Sequence, residues 1–327
     1  MEESNISHHF AKTEVIVISI FLSILMFMGV VGNVLVCIIF GINKHLRSTA
    51  NYLVINLAIV DTFQSLNLIF MIIAANTRNW DLGETMCQVV GFTNISFILT
   101  SLCSLFLVSL NRYFLIVKNT SKEHFTPRRA ILQLFLAWFL PGAMAVAPIL
   151  GWGEYQYRPG KLMCTLSFRS EPSYALAICA IFIFVPFIVM CVCNWKIFRT
   201  LKQSHSRVTV EDRTRSRRNK EEMKVASMLL VVILFFALFY FPASVFNIVE
   251  IDSDFELPER LDLTFTGLAM MNHANNPMIY SFMNRHFRKA LWSFCRRRTL
   301  LVHFSNQATI VSCEPKIPQA ERRILVT

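Results

Sequence analysis

CQVVGFTNISFILTSLCSLFLVSLNRYFLIVK, residues 87–118, has no charged side chain between Cys87 and Arg112. At about 1.5 Å per residue, those 25 steps make a helix of about 38 Å, somewhat longer than the roughly 30 Å hydrocarbon core of a bilayer. Cys87 and Arg112 are therefore expected at opposite water boundaries. Thr93, Asn94, Ser96, Thr100, Ser101, Ser104 and Ser109 recur too often for a lipid-facing surface. The stretch reads as a central transmembrane helix packed mostly by protein, where small and hydroxylated residues let helices approach and hydrogen-bond.

The whole chain follows the same solvent logic. Of its 327 residues 54% are hydrophobic and 16% charged, and mean hydropathy is +0.47, whereas a soluble domain averages about 25% charged residues. The apolar residues fall in discrete runs, which marks membrane spans rather than a large core. The expected fold is an all-α membrane protein, a seven-transmembrane helix bundle with no second domain. Its expected layout is an extracellular amino terminus over 1–13, the bundle over 14–283, a short amphipathic helix 8 on the membrane surface over 284–298 and a cytoplasmic, disordered tail over 299–327. Residues 1–12 lack the apolar core and cleavage site of a signal peptide, so the first span is expected to act as the insertion signal.

A formal net charge of +11 invites a nucleic-acid reading, but the charges are placed by topology. With the amino terminus outside, 26 of the 32 Lys and Arg fall on inner segments, as the positive-inside rule requires. Attraction to membrane lipid follows from that placement, and no nucleic-acid partner is expected. Of the nine cysteines, Cys87 and Cys164 alone fall in outer segments, where oxidation is available, and they are expected to form a disulfide. Cys295, on the inner side, is a candidate for lipidation. Three Asn-x-Ser/Thr sequons occur; Asn94 is in the membrane and Asn119 inside, which leaves Asn5 for glycosylation.

Within the spans, polar residues mark function. Asp61 is the one acid inside an apolar run, and intramembrane carboxylates commonly serve ion sites or relays. Asn33 should face the bundle for the same reason. Pro186, Pro242 and Pro277 lie inside the fifth, sixth and seventh spans, where freed carbonyls are tolerated if protein or a water-lined cavity receives them. They imply a pocket and movable segments. The outer loop GWGEYQYRPGKLMC, residues 151–164, is rich enough in Gly, Pro and aromatics to be an ordered turn structure.

These landmarks, in order, resemble the rhodopsin-like (class A) G-protein-coupled receptors: Gly32 and Asn33, NLAIVD ending at Asp61, Trp80, Cys87, NRY at Asn111, Arg112 and Tyr113, Trp138, Cys164, Pro186, Pro242, NNPMIY ending at Tyr280, and Phe287. In character the chain looks most like the opsin and melatonin-type members. The resemblance implies a plasma-membrane receptor, not an enzyme, that converts an extracellular ligand into heterotrimeric G-protein activation, with arrestin and receptor kinase as further partners at the tail. Asn111, Arg112, Tyr113, Glu222, Asn276, Pro277 and Tyr280 match the coupling and switch positions, with Glu222 as the acidic partner of Arg112.

Several residues depart from the family pattern. Asn111 replaces the usual acid beside Arg112, which predicts elevated basal activity. Tyr240 stands for the usual Trp before Pro242, and Asn194 for a common Tyr. Asp61, Ser101, Asn272 and Asn276 match the family's sodium-binding cluster, so sodium is the candidate ion at Asp61. His273 stands where Ser is common; being the side chain most easily charged near neutral pH, it is expected to replace sodium as the partner of Asp61 and to make activity sensitive to pH rather than to sodium.

By the same resemblance the ligand pocket comprises Asn94, Ile98, Ile178, Phe182, Tyr240, Ala243, Ser244, Asn247, Thr266 and Met270. Met270 occupies the place of the retinal-binding lysine, so no covalent cofactor is expected. Asn94 occupies the place of the acid of amine receptors, so a charged amine would lack its counterion. A neutral small molecule is the expected ligand. The alternatives are a peptide, drawn by the acidic loop Asp252, Asp254, Glu256, Glu259 and Asp262, a noncovalent retinoid, or a receptor-like scaffold that does not signal. Transporter repeats and the motifs of membrane enzymes are missing from the sequence.

Overall fold

The computed structural model describes residues 10–42, 49–118, 126–206, 213–251, 257–283 and 287–293. Seven long helices run through residues 12–283: α1 Lys12–Ile42, α2 Thr49–Thr77, α3 Gly83–Ile116, α4 Pro127–Val146, α5 from Pro172 to Ser206, α6 Arg213–Val249 and α7 Glu259–Met283. Residues 287–293 are helical within a separate unit, Arg285–Thr327. Asn5, Cys295 and the tail lie outside the described residues, as does most of the acidic loop at 252–256.

Among the described residues six helices are long and apolar enough to cross a membrane by length and composition. The seventh, α7, is long enough too, but polar side chains dilute it. Asn272, His273 and Asn276 are all buried, so its polarity faces protein rather than lipid. α3 occupies the middle: its span is 61% buried, against 22–50% for the other five. That is the consequence expected of its many hydroxyls.

Interior polar groups join the helices because nothing in hydrocarbon can satisfy them. Asn56 Nδ2 donates to Ser104 Oγ at 2.8 Å and Trp138 Nε1 donates to Asn56 Oδ1 at 2.7 Å. One side chain thereby ties α2, α3 and α4. Asn33 Nδ2 donates to the carbonyls of Gly29 and His273, each at 2.9 Å, which holds α1 to α7. Asn194 Nδ2 donates to Met190 O at 2.8 Å and Ser109 Oγ at 3.2 Å, so this departure from the family pattern links α5 to α3.

α5 has three parts, α-helical at Pro172–Ile178, π-helical at Cys179–Phe184 and α-helical again at Val185–Ser206. Pro186 has no N–H to offer the carbonyl four residues back, and a widened turn just before it accommodates the missing bond. α6 and α7 run as helices through Pro242 and Pro277, and the change of helix type accompanies Pro186.

The outer loop is a β-hairpin, an addition to the expected all-α fold. β1 Tyr155–Arg158 pairs antiparallel with β2 Met163–Leu166, Tyr155 opposite Leu166 and Arg158 opposite Met163. The Cys87–Cys164 disulfide ties β2 to the second turn of α3, with Cα atoms 5.2 Å apart. Tyr155 inserts beside it. Its hydroxyl donates to Ala145 O at 2.7 Å, and its ring lies so close to α3 that a Cβ on Gly91 would meet ring carbon at 2.6 Å.

Gly91→Ala is therefore expected to lower the thermal stability of the purified protein by roughly 1–3 kcal/mol, the usual cost of overpacking. Adding Tyr155→Ala should cost less in the Gly91→Ala background than in the native chain, since both changes act on one contact. Strict additivity in thermal unfolding would show that Gly91 and Tyr155 do not share it.

Candidate functional site

Beneath the hairpin the helices enclose a cavity of ≈ 750 Å³, counting its open mouth. Its lining, mostly apolar with a few polar groups, is that of a small-molecule site. Nine of the ten residues expected there line it: Asn94, Ile98, Ile178, Tyr240, Ala243, Ser244, Asn247, Thr266 and Met270. Phe182 does not. It sits on the π-helical stretch of α5 and packs in the buried cluster with Phe236 and Tyr240.

The hairpin supplies what sequence reading missed. Met163, Thr165, Leu166 and Phe168 line the cavity, and so does Lys161. Lys161 ends the short 3-10 turn Pro159–Lys161 between the strands. It is buried, donates from Nζ to Asn247 Oδ1 on α6 at 2.6 Å and approaches Asp262 Oδ1 on α7 at 3.7 Å. Arg158 takes Glu250 through bonds of 2.9 and 3.0 Å. Burial pushes the Lys161 ammonium below the ordinary lysine range, and the nearby Asp262 carboxylate opposes that shift. Only its place in a Gly- and Pro-rich outer turn marked Lys161 in the sequence.

The floor of the cavity is a chain of hydrogen bonds. Tyr240 lines the cavity, and its hydroxyl lies 2.8 Å from His273 Nε2. His273 Nδ1 lies 2.7 Å from Asp61 Oδ1. Ser101 Oγ donates to the same carboxylate oxygen at 3.1 Å, and Asn276 Nδ2 donates to Asp61 Oδ2 at 2.7 Å. Three helices thus converge on one buried carboxylate. Asn272 is buried on α7 but makes no hydrogen bond to Asp61 among the described residues. On the neighbouring wall Gln64 Nε2 donates to Asn94 Oδ1 at 2.6 Å.

Three protein groups, on Ser101, His273 and Asn276, meet the two Asp61 oxygens, and a carboxylate offers about four lone-pair sites. The imidazole nitrogen of His273 stands beside the carboxylate where a further oxygen would favour a hard cation, so the set is poor in oxygen ligands for sodium.

At the inner end Asn111 is not directed at Arg112. Its amide forms a reciprocal pair with Gln133 of α4, at 2.9 and 3.0 Å. Tyr113 packs with Ile197 and Leu201 of α5, and Lys196 Nζ lies 5.9 Å from its ring centroid. Pro277 and Tyr280 are buried on α7. The side chain of Glu222, the expected partner of Arg112, lies outside the described residues.

Fold and site together define a seven-helix membrane receptor, and the comparisons agree. The family model described as 7 transmembrane receptor (rhodopsin family) matches residues 32–280. The chain belongs to that family, whose members are receptors and not enzymes. It is 26% identical over 303 residues to "Rhodopsin, GQ-coupled" of Mizuhopecten yessoensis, covering 85% of this chain and 60% of that one. It is 27% identical over 320 residues to "5-hydroxytryptamine receptor 4" of Homo sapiens, covering 88% and 82%. Squid rhodopsin matches in structure with a TM-score of 0.77 at 24% identity, covering 86% and 85%. Melanopsin-B of Xenopus laevis is covered over 53% of its length, so the chain spans about half to six tenths of such opsin relatives. An opsin and a serotonin receptor match almost equally, so similarity leaves the ligand undecided.

Truncating the relay should separate its two links. Tyr240→Phe removes one hydrogen bond and should cost about 1 kcal/mol of stability. His273→Leu should cost roughly 1–3 kcal/mol more, because the buried Asp61 carboxylate then loses a charge-assisted partner. Thermal unfolding of the purified variants checks the order, and equal losses would contradict the assigned bonds.

Proposed function

We propose that this chain is a plasma-membrane receptor, amino terminus outside, in which a small molecule bound beneath the hairpin drives nucleotide exchange on a heterotrimeric G protein. The observation that carries the reading is the Tyr240–His273–Asp61 chain. It runs from the cavity floor to the carboxylate that α3 and α7 share, so a ligand pressing on Tyr240 acts on the packing of the inner half. A ligand shifts such an equilibrium by its differential affinity for the two arrangements. Outward movement of α6 would then expose the surface around Arg112.

Basal and ligand-stimulated nucleotide exchange tests this reading, measured against each class of Gα for the native chain and for Arg112→Ala at matched surface expression. Exchange that depends on Arg112 is expected. An equal signal from both chains would overturn coupling through this surface, and no signal from the native chain with any Gα would favour the scaffold reading. Asn111→Asp should lower basal exchange, and an unchanged basal rate would separate Asn111 from the resting equilibrium.

His273 also replaces sodium in this proposal. Basal exchange of the native chain should be indifferent to replacing sodium chloride by N-methylglucamine chloride, while His273→Ser should gain inhibition by sodium. A native chain as sodium-sensitive as the variant would remove His273 from that role.

A further inference from the structure

The cavity has an apolar body and one cationic rim residue, and the rim is built rather than incidental. Gly160 lies against α7, where an added Cβ would meet Asp262 Oδ2 at 3.0 Å and the Glu259 backbone at 3.3 Å. Leu162 adopts φ 52°, a left-handed conformation that is unfavourable for a bulky residue. Its burial among Phe10, Val15, Ala74 and Ala75 offsets that cost. Between these two anchors the chain must turn Lys161 inward.

The ammonium there is incompletely matched. Lys161 has three N–H donors and one short acceptor among the described residues, Asn247 Oδ1 at 2.6 Å. Asp262 Oδ1 forms an ion pair with Lys161 at 3.7 Å, longer than a direct hydrogen bond, and the Phe168 ring centroid lies 5.9 Å from the ammonium. The other Asp262 oxygen lies 3.8 Å from Arg158, so its charge is shared. Glu250 is taken up by Arg158, and neither acid lines the cavity, whereas Lys161 does.

Unused hydroxyls lie one turn deeper. Ser244 precedes Asn247 by one turn of α6 and Thr266 follows Asp262 by one turn of α7, a displacement of about 5 Å along each helix. Both are buried and line the cavity. Neither side chain has a hydrogen bond to another described residue. Below them the walls turn apolar at Ile98, Leu99 and Ile178.

We infer that the natural ligand is a small organic anion, a carboxylate on an apolar body, whose acid group meets Lys161 with Ser244 and Thr266 as further donors. This rests on the cavity being the receptor's ligand site. It replaces the neutral ligand expected from the spans alone, because the cation comes from the outer loop. A cationic ligand would meet the ammonium and not the acids, and a neutral one would leave the ammonium under-coordinated.

The test uses the full chain in phosphatidylcholine nanodiscs and ligands matched in skeleton: decanoate with decanamide for a lipid-derived acid, indole-3-acetate with indole-3-acetamide and tryptamine for a soluble one. In at least one series the acid is expected to bind tenfold or more tightly than its amide, by ligand-induced thermal stabilisation. Lys161→Gln should abolish that preference, and Lys161→Arg should keep it. Thr266→Val should weaken acid binding, which supplies a second reading if Lys161→Gln does not fold. Amide binding equal to or tighter than acid binding in both series, preference for tryptamine over indole-3-acetate, or no acid binding up to millimolar concentration would each overturn the anion assignment. Nucleotide exchange with the same compounds separates the two readings. Acids that bind but leave exchange unchanged, with basal exchange also indifferent to Arg112→Ala, uphold the anion site and overturn the receptor reading, whereas exchange driven by amides or tryptamine does the reverse.

Discussion

Asp61 is the group on which the rest of the bundle depends. A carboxylate with no solvent exposure in a membrane interior is tolerated only when protein donors surround it. Ser101, His273 and Asn276 do so from α3 and α7. The requirement reaches outward, since the His273 ring that meets Asp61 also meets Tyr240, and the His273 carbonyl accepts from Asn33. Four helices besides that of Asp61 are thereby referred to one charge. A movement of any of them must rebuild hydrogen bonds that no solvent replaces.

The outer half answers to a different constraint. The hairpin is pinned at Cys164 by the disulfide, at Tyr155 by α3 and α4, and at Gly160 by α7. These attachments turn a loop into the roof of a cavity and deliver Lys161 to it. The roof and the floor thus contribute the polar groups that face the ligand space from opposite ends, with apolar walls between. Such a division, apolar contact for affinity and a few polar groups for orientation, is usual for small-molecule sites.

Much of the architecture was legible in the residues. The length of the uncharged run from Cys87 to Arg112 follows from the cost of charge in hydrocarbon, which acts on each segment separately. Asn33 and Asp61 were recognisable as inward-facing for that reason. The residues around the cavity were largely legible through the family resemblance, while Phe182, on the π-helical stretch, packs in the cluster with Phe236 and Tyr240. The partner of Asn111 was not legible: its pairing with Gln133 joins residues whose side chains carry no pattern.

Sequence alone determined the membrane spans and singled out Cys87 and Cys164 as a pair, because hydropathy and charge act locally along a chain. It also marked Asp61 and His273 as chemically unusual neighbours. Tertiary structure decided which groups meet. Lys161 is an ordinary loop lysine until the hairpin folds it against Asn247 and Asp262, 86 and 101 positions away in the chain. Tyr240 becomes part of a relay only when α6 and α7 bring its hydroxyl to His273. Hydrogen bonds and ion pairs of that kind depend on distances of a few tenths of an ångström between remote residues, and the packing of the whole bundle sets those distances.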